Sequence, residues 1–313
     1  MLKDIGGNYR VGNSDFFILE ACEYVESFLK FSPQSAIVTN IDNDHLDYFK
    51  TFDNIKHAFE KYVNLLPKDG FLITNADDPD CLDLRKHTLA QVVTFGLRND
   101  RANFIGRNIV FDKNGFSKFD VYRNSSYFGE FKLSVPGIHN VYNALACIAI
   151  CSSYGIAKQV IKTALLKFTG ANRRFEYIGS YSNMDVYDDY AHHPSEIMAT
   201  AKAMKNKAYR QSWVIFQPHT YSRTKELLSD FAEALLEFDN IIVTDIYAAR
   251  ESNTYGISSK DLVHKIAELG KNALYISDFD DIASYVKGHA CPHDIILTMG
   301  AGTVWEVGKK ILQ

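Results

Sequence analysis

The chain has 313 residues, 46% of them hydrophobic and 23% charged, with a formal net charge of −4. That is an ordinary globular balance with length for two domains, and neither sign of charge is in enough excess for a general nucleic-acid or membrane-surface binder. Five cysteines without a C-x-x-C pair argue against a disulfide framework or a structural zinc site, and the absence of a signal peptide or of an apolar run long enough to span a bilayer makes the expected location cytoplasmic.

Residues 1–14 carry no clear strand or helix pattern. Residues 15–20, Asp-Phe-Phe-Ile-Leu-Glu, predict a buried strand ending on an acid, and 22–29 a turn or short helix. A second buried strand is expected over 35–40. It runs into the polar stretch Asn40-Ile41-Asp42-Asn43-Asp44-His45-Leu46-Asp47. An amphipathic helix over 54–66 is closed by Pro67 and Gly70. Strands follow over 70–74, ending in Asn75-Ala76-Asp77-Asp78-Pro79, and over 91–95. From 102 to 135 short alternating runs separated by Asn-Gly and Asn-Ser turns predict a small antiparallel sheet. After Pro136-Gly137 a long apolar helix is expected from His139-Asn140 to about 153, with Asn140 as its N-cap, and a further helix over 157–168.

Residues 169–175, Thr-Gly-Ala-Asn-Arg-Arg-Phe, read as a domain boundary. Beyond it five strands, near 184–187, 212–216, 240–244, 273–276 and 294–298, alternate with helical patterns and imply a parallel sheet with right-handed crossovers. Their carboxyl ends, where open α/β sheets bind ligands, carry Asp188-Asp189-Tyr190-Ala191-His192-His193-Pro194, Gln217-Pro218-His219-Thr220-Tyr221-Ser222-Arg223, Asp245-Ile246-Tyr247 and Gly300-Ala301-Gly302.

Each polar cluster has a functional and a plain structural reading. Glu20 and His45 follow strands and could share a divalent ion with water and phosphate oxygens; equally, one caps a turn and the other packs locally. Asn140 and Asn143 share a helix face and could read a nucleobase edge, or be a cap and a solvated amide. Arg173-Arg174 at the joint could clamp a phosphate or be exposed charge. His219 and Arg223 suit an anionic substrate, or a helix start with a surface arginine. The Asp188–His193 turn is dense in titratable groups but also fits a solvated turn with an N-cap. No Gly-x-x-x-x-Gly-Lys-[Ser/Thr], Gly-x-Ser-x-Gly or His-Glu-x-x-His occurs.

Taken together and in order, Glu20-Ala21-Cys22-Glu23-Tyr24, Thr39 to Asp47, Asn75 to Pro79, Pro136-Gly137-Ile138-His139-Asn140-Val141-Tyr142-Asn143-Ala144, Arg173-Arg174-Phe175, Asp188 to Pro194 and Phe216-Gln217-Pro218-His219-Thr220-Tyr221-Ser222-Arg223-Thr224 resemble the Mur ligases. The likeness covers nearly the whole chain from Gly6. Within the family it is greatest to members that join L-alanine to UDP-N-acetylmuramate in peptidoglycan precursor synthesis. The resemblance implies an α/β fold of two domains. Residues 1–172 would form a parallel-sheet, ATPase-like central domain that binds ATP, N-terminally truncated and with a small antiparallel subsheet. Residues 173–313 would form a Rossmann-like C-terminal domain that binds the amino acid.

It implies an acyl-phosphate mechanism, with ATP and Mg2+ as cofactors. Glu20 and His45 match the magnesium ligands. Asn140, Asn143, Arg174 and Asp189 match nucleotide-binding positions. Tyr190, His192, His219 and Arg223 would line the amino-acid side, with Arg174 and His192 the catalytic pair. Closure of one domain on the other about 169–175 is part of the same implication. The chain departs from the family in lacking the phosphate loop and its lysine. The expectation is therefore a fragment, inactive by itself, with an apolar sheet edge exposed and a missing N-terminal segment as potential partner. The alternatives are a non-catalytic nucleotide- or partner-binding fragment and a relative that recycles murein tripeptide. No nucleic-acid or membrane partner is expected.

Overall fold

The computed structural model describes residues 6–313; the first five residues of the opening stretch 1–14, read above as without a clear strand or helix pattern, lie outside them. The chain divides into two compact units, residues 9–169 and 170–313.

The first unit is one six-stranded sheet in chain order: β1 (Ser35–Val38), β2 (Phe71–Asn75), β3 (Gln91–Gly96), β4 (Phe104–Phe111), β5 (Phe116–Arg123) and β6 (Ser126–Pro136). β1 to β4 pair in parallel, and β4–β5–β6 are antiparallel, as the change of pattern after residue 102 predicts. Successive side chains of a strand point to opposite faces, so Leu72 and Ile73 of β2 enter different cores. On one face α1 (Leu46–Phe49), α2 (Phe52–Asn64) and α3 (Pro79–Asp83) follow the strand ends, and α2 buries Ile55, Ala58 and Val63 with Leu72 and Phe28. On the other, α4 (Ile138–Ser153) sets Val141, Leu145 and Ile148 against Phe95, Phe104 and Phe119, with α5 (Lys158–Lys167) behind. The β5–β6 turn is Asn124-Ser125, both with positive φ, the two-residue turn that suits strand twist.

Residues 15–20 form no strand: Phe17 and Ile18 are 85% and 92% exposed. The only described neighbour of β1 is β2, so the run meets no ladder, and an apolar run without a hydrogen-bonding partner and a covering layer does not become a strand. Asn140 is not an N-cap. Gly137, at φ 95°, turns the chain directly out of β6, so α4 begins at Ile138 and Asn140 lies within its first turn.

The second unit is a six-stranded sheet of order β11-β10-β9-β12-β8-β7. Its strands are β7 (Glu176–Tyr181), β8 (Met184–Asp189), β9 (Ser212–Phe216), β10 (Asn240–Val243), β11 (Ala273–Tyr275) and β12 (Ile295–Met299). All neighbours are parallel except β7, which turns back on β8. β7 is the strand missing from the five expected. It lies on the edge, is interrupted by Gly179 and is polar enough to hide the period-2 signal; its Ser182-Asn183 turn, both residues at positive φ, was the readable clue. Helices α6 (Pro194–Met204), α7 (Tyr221–Glu226), α8 (Leu228–Leu235) and α9 (Ser259–Glu268) follow β8, β9 and β10. α6, α8 and α9 bury Ile197, Phe231 and Leu262 on one face. α10 (Phe279–His289) and α11 (Trp305–Leu312) bury Ile282 and Val307 on the other. Because β12 inserts between β9 and β8, the chain leaves the sheet in opposite directions from neighbouring strands, and their carboxyl ends border the crevice where such sheets bind ligands. No helix among the described residues is long and apolar enough to cross a membrane.

Candidate functional site

At the carboxyl end of β8 the two acids do different work. Asp188 is buried, accepts from Thr298 Oγ1 at 2.7 Å and pairs with Arg173 Nε at 2.8 Å. Arg173 also donates to the carbonyl oxygens of Gly300 (2.6 Å) and Gly302 (3.2 Å), and its guanidinium lies 5.0 Å from the Tyr190 ring centroid. One arginine thus braces the ends of β8 and β12 together. Asp189 turns inward: it accepts from the N–H groups of Phe175 and Ala191 and from Thr200 Oγ1. Burial outweighs those bonds and raises its carboxyl to about 6. The two glycines are required by proximity. A Cβ on Gly300, at φ +145°, would lie 2.6 Å from the Gln217 carbonyl oxygen, and one on Gly302 would lie 2.3 Å from Gln217 Oε1.

The turn after Asp189 leads into α6. His193 caps that helix, and Glu196 reaches back to the N–H groups of His192 and His193, a reciprocal box in which an imidazole replaces the usual hydroxyl. Glu196 also pairs with Arg174, at 3.2 Å, and lies 3.4 Å from His192 Nδ1. The His192 ring stands edge-on to Tyr190 at 5.2 Å and to His219 at 5.6 Å. His219, after β9, stacks on Tyr247 and lies 3.3 Å from Arg223 Nη1. Burial, then the neighbouring His192 and Arg223 charges, lower His219 to about 4, so it is neutral at physiological pH. The strand ends therefore bring together Tyr190, His192, His219 and Arg223: two imidazoles, a phenol and a guanidinium, a set suited to holding a carboxylate and taking a proton from an ammonium group.

In the first unit the polar residues are more dispersed. Glu20 is exposed on irregular chain. His45, at a left-handed φ of 57°, lies 3.4 Å from Glu23, 3.7 Å from Asp44 and against the Tyr24 ring. The hydrogen bond with His45 holds Glu23 below the usual carboxylate range. The amide of Asn140 donates to the Pro136 carbonyl at 2.8 Å, while Asn143 is exposed and donates to Asn140 Oδ1 at 3.4 Å. Between them Tyr142 donates to Asp77 at 2.8 Å. Asp77 also accepts from the N–H groups of Leu97, Arg98 and Asn99. Burial pushes its carboxyl up, and these four bonds outweigh it and leave it low.

The comparisons agree with this layout. Residues 7–151 match the Mur ligase middle domain and residues 173–302 match the Mur ligase, glutamate ligase domain. A UDP-N-acetylmuramate–L-alanine ligase of Caldanaerobacter subterraneus subsp. tengcongensis is 49% identical over 309 residues, covering 99% of this chain and 67% of the relative. The chain belongs to the Mur ligase family. The crystal structure of the UDP-N-acetylmuramate–alanine ligase of Thermotoga maritima superposes on this Mur ligase chain with a TM-score of 0.74 at 29% identity, over 92% of this chain and 60% of that one. A murein peptide ligase of Psychrobacter arcticus superposes with a TM-score of 0.63 at 25% identity, over 91% and 58%. The chain thus spans about two thirds of its curated relative and about three fifths of each solved structure.

The family resemblance assigns magnesium to Glu20 and His45. As placed here, the carboxylates that meet His45 are those of Glu23 and Asp44, and no group of three or more His, Cys, Asp or Glu among the described residues could hold a metal ion. The side chains do not by themselves make a cation site for this Mur ligase. Sequence reading missed Arg173, Asp77, Gln217 and Glu251 as shaping residues. The polar strand-end runs contained Asp77 and Gln217, and the joint contained Arg173. Nothing local distinguished a brace from a ligand contact.

Proposed function

We propose that this chain supplies the ATP-handling and amino-acid-handling parts of a ligase that joins L-alanine to UDP-N-acetylmuramate, a cytoplasmic step in peptidoglycan precursor synthesis. The observation that carries the reading is the convergence of Tyr190, His192, His219 and Arg223 at neighbouring strand ends. The 49% identity to a ligase of that name supports it. In this proposal residues 1–172 are the ATP-binding part and residues 173–313 the amino-acid-binding part.

Arg223 holds the alanine carboxylate as a charge-assisted pair. His219, neutral because it is desolvated, adds a donor without a competing charge. His192 takes a proton from the alanine ammonium group, and the free amine attacks the carbonyl carbon of the muramate acyl phosphate. That acyl phosphate forms when the muramate carboxylate takes the γ-phosphoryl group of ATP and ADP leaves; after the amine adds, the C–O bond to phosphate breaks and the amide remains. Arg174, held by Glu196 at 3.2 Å, neutralises phosphate charge as it develops. Asn140 and Asn143 meet the nucleotide, and Asp189 acts behind it by fixing the turn.

These residues include no phosphate-loop lysine, so the polypeptide assayed alone should not turn over. The test is phosphate release with ATP, magnesium, UDP-N-acetylmuramate and L-alanine, by this chain alone and then mixed with a polypeptide carrying the loop. Turnover only on mixing is expected. Turnover by the chain alone would overturn the need for the lysine, and a preference for murein tripeptide over alanine would overturn the substrate.

A further inference from the structure

We infer that Glu251 is a positioning residue for the His219–Arg223 pair, capping from a separate loop the short helix that carries Arg223. Its description as part of an amino-acid subsite rests on the proposed function; the positioning itself does not.

α7 has only six residues, Tyr221–Glu226. A helix so short does not hold its own first turn, because nucleation fixes several dihedrals for one hydrogen bond. Its N-cap residue, Thr220, makes no side-chain bond to the helix amides. Glu251 does that work from about thirty residues on. Its Oε2 accepts from the Ser222 N–H at 2.9 Å, and its Oε1 accepts from Thr220 Oγ1 at 2.8 Å and from Ser222 Oγ. A carboxylate there also meets the positive end of the helix dipole. Burial works against its ionised form, and the bonds from Ser222 and Thr220 outweigh burial and keep the carboxyl below its usual range.

The same loop grips the other member of the pair. The Tyr247 N–H donates to the Pro218 carbonyl at 2.8 Å, and the Tyr247 ring lies parallel to His219 with centroids 5.8 Å apart. Arg223 reaches back to His219, its Nη1 3.3 Å from Nδ1 and 3.4 Å from the carbonyl oxygen. One loop therefore fixes the imidazole by stacking and the guanidinium by setting where the helix starts. The sensitivity is geometric: starting α7 one residue later would rotate Arg223 about the axis by roughly 100°, away from His219.

The experiment uses the 313-residue chain with Glu251→Ala, Glu251→Gln and Arg223→Ala. Amide hydrogen exchange is followed at Ser222 and Thr224, together with the His219 ring resonances and titration with L-alanine. Glu251→Ala should speed exchange at Ser222 and Thr224 about tenfold, the effect of losing a helix cap. It should also move the His219 resonances, leave β9 and β12 amides unchanged, and weaken L-alanine binding in the same direction as Arg223→Ala. Glu251→Gln, which keeps an acceptor, should recover most of the exchange protection. Unchanged exchange at Ser222 and Thr224, an equal rise throughout residues 170–313, or equal L-alanine affinity in all forms would overturn the positioning role. No L-alanine binding by the unsubstituted chain would overturn the amino-acid reading alone, since the exchange data still decide what Glu251 does.

Discussion

At the carboxyl ends of β8, β9 and β12 the polar side chains hold one another: Arg173 ties Asp188 to Gly300 and Gly302, Glu196 holds Arg174 beside His192, and Glu251 holds the start of α7. In the first unit Glu20 is exposed on irregular chain, and Asn143 has one long contact to Asn140. Asp77, with four donors, matches the bracing of the second unit. The difference teaches where geometry is stored. A cross-braced site is set before its ligand arrives and loses little freedom on binding, whereas side chains with single contacts become ordered with the ligand and bear that cost then.

The contrast is broken most forcefully at the two buried acids. Asp189→Ala leaves three donors without an acceptor and should cost about 3 kcal/mol. Both tryptophans, Trp213 and Trp305, lie in the second unit, so urea unfolding followed by tryptophan fluorescence reads that loss. Asp77→Ala should cost about as much in the first unit while leaving the tryptophan transition in place. If Asp77→Ala shifts the tryptophan transition as far as Asp189→Ala does, the two units do not store their stability separately.

A smaller effect is expected at Gly300→Ala. A positive φ and a Cβ 2.6 Å from a backbone oxygen leave no cheap relaxation, for about 2 kcal/mol by the same fluorescence measurement. A cost below about 0.5 kcal/mol would show that the β12 turn is not packed on Gln217 as described.

The pH dependence sharpens the comparison within the second unit. Burial raises Asp189 from 3.8 to about 6, and burial followed by neighbouring charge lowers His219 from 6.5 to about 4. Folded Asp189 binds its proton more tightly than the unfolded chain does, so its contribution is full below 3.8 and is lost as pH rises through about 6. Folded His219 binds its proton less tightly, so its contribution is present above 6.5 and is lost as pH falls through about 4. The slopes oppose each other over the same interval. Asp189→Asn should therefore unmask stability that falls with falling pH, and His219→Gln should unmask the reverse. Urea midpoints across that interval with the same sign of slope in both variants would refute the assignment. Smallest of all, Glu20→Ala should change stability by less than about 0.5 kcal/mol, as for other exposed positions; a larger loss in urea would mean that Glu20 is braced after all.

From the sequence alone came the central parallel strands, the change to an antiparallel subsheet after residue 102, and the polar runs that follow each strand. Strands buried on both faces read as unbroken apolar segments, and turn chemistry is local, so neither needs a partner to be legible. What the tertiary structure decided lies in contacts between residues far apart in the chain. Residues 15–20 have a strand's composition and no ladder; β7 has weak composition and a ladder to β8. Asn140 looks like a cap until Gly137 starts the helix before it. Arg173 and Arg174 are neighbours of identical chemistry, yet one spans 127 residues to Gly300 and the other turns to Glu196. A side chain's role follows from which distant groups it meets in a desolvated place, and pairing across that distance is specified by the packed sheet, not by local sequence.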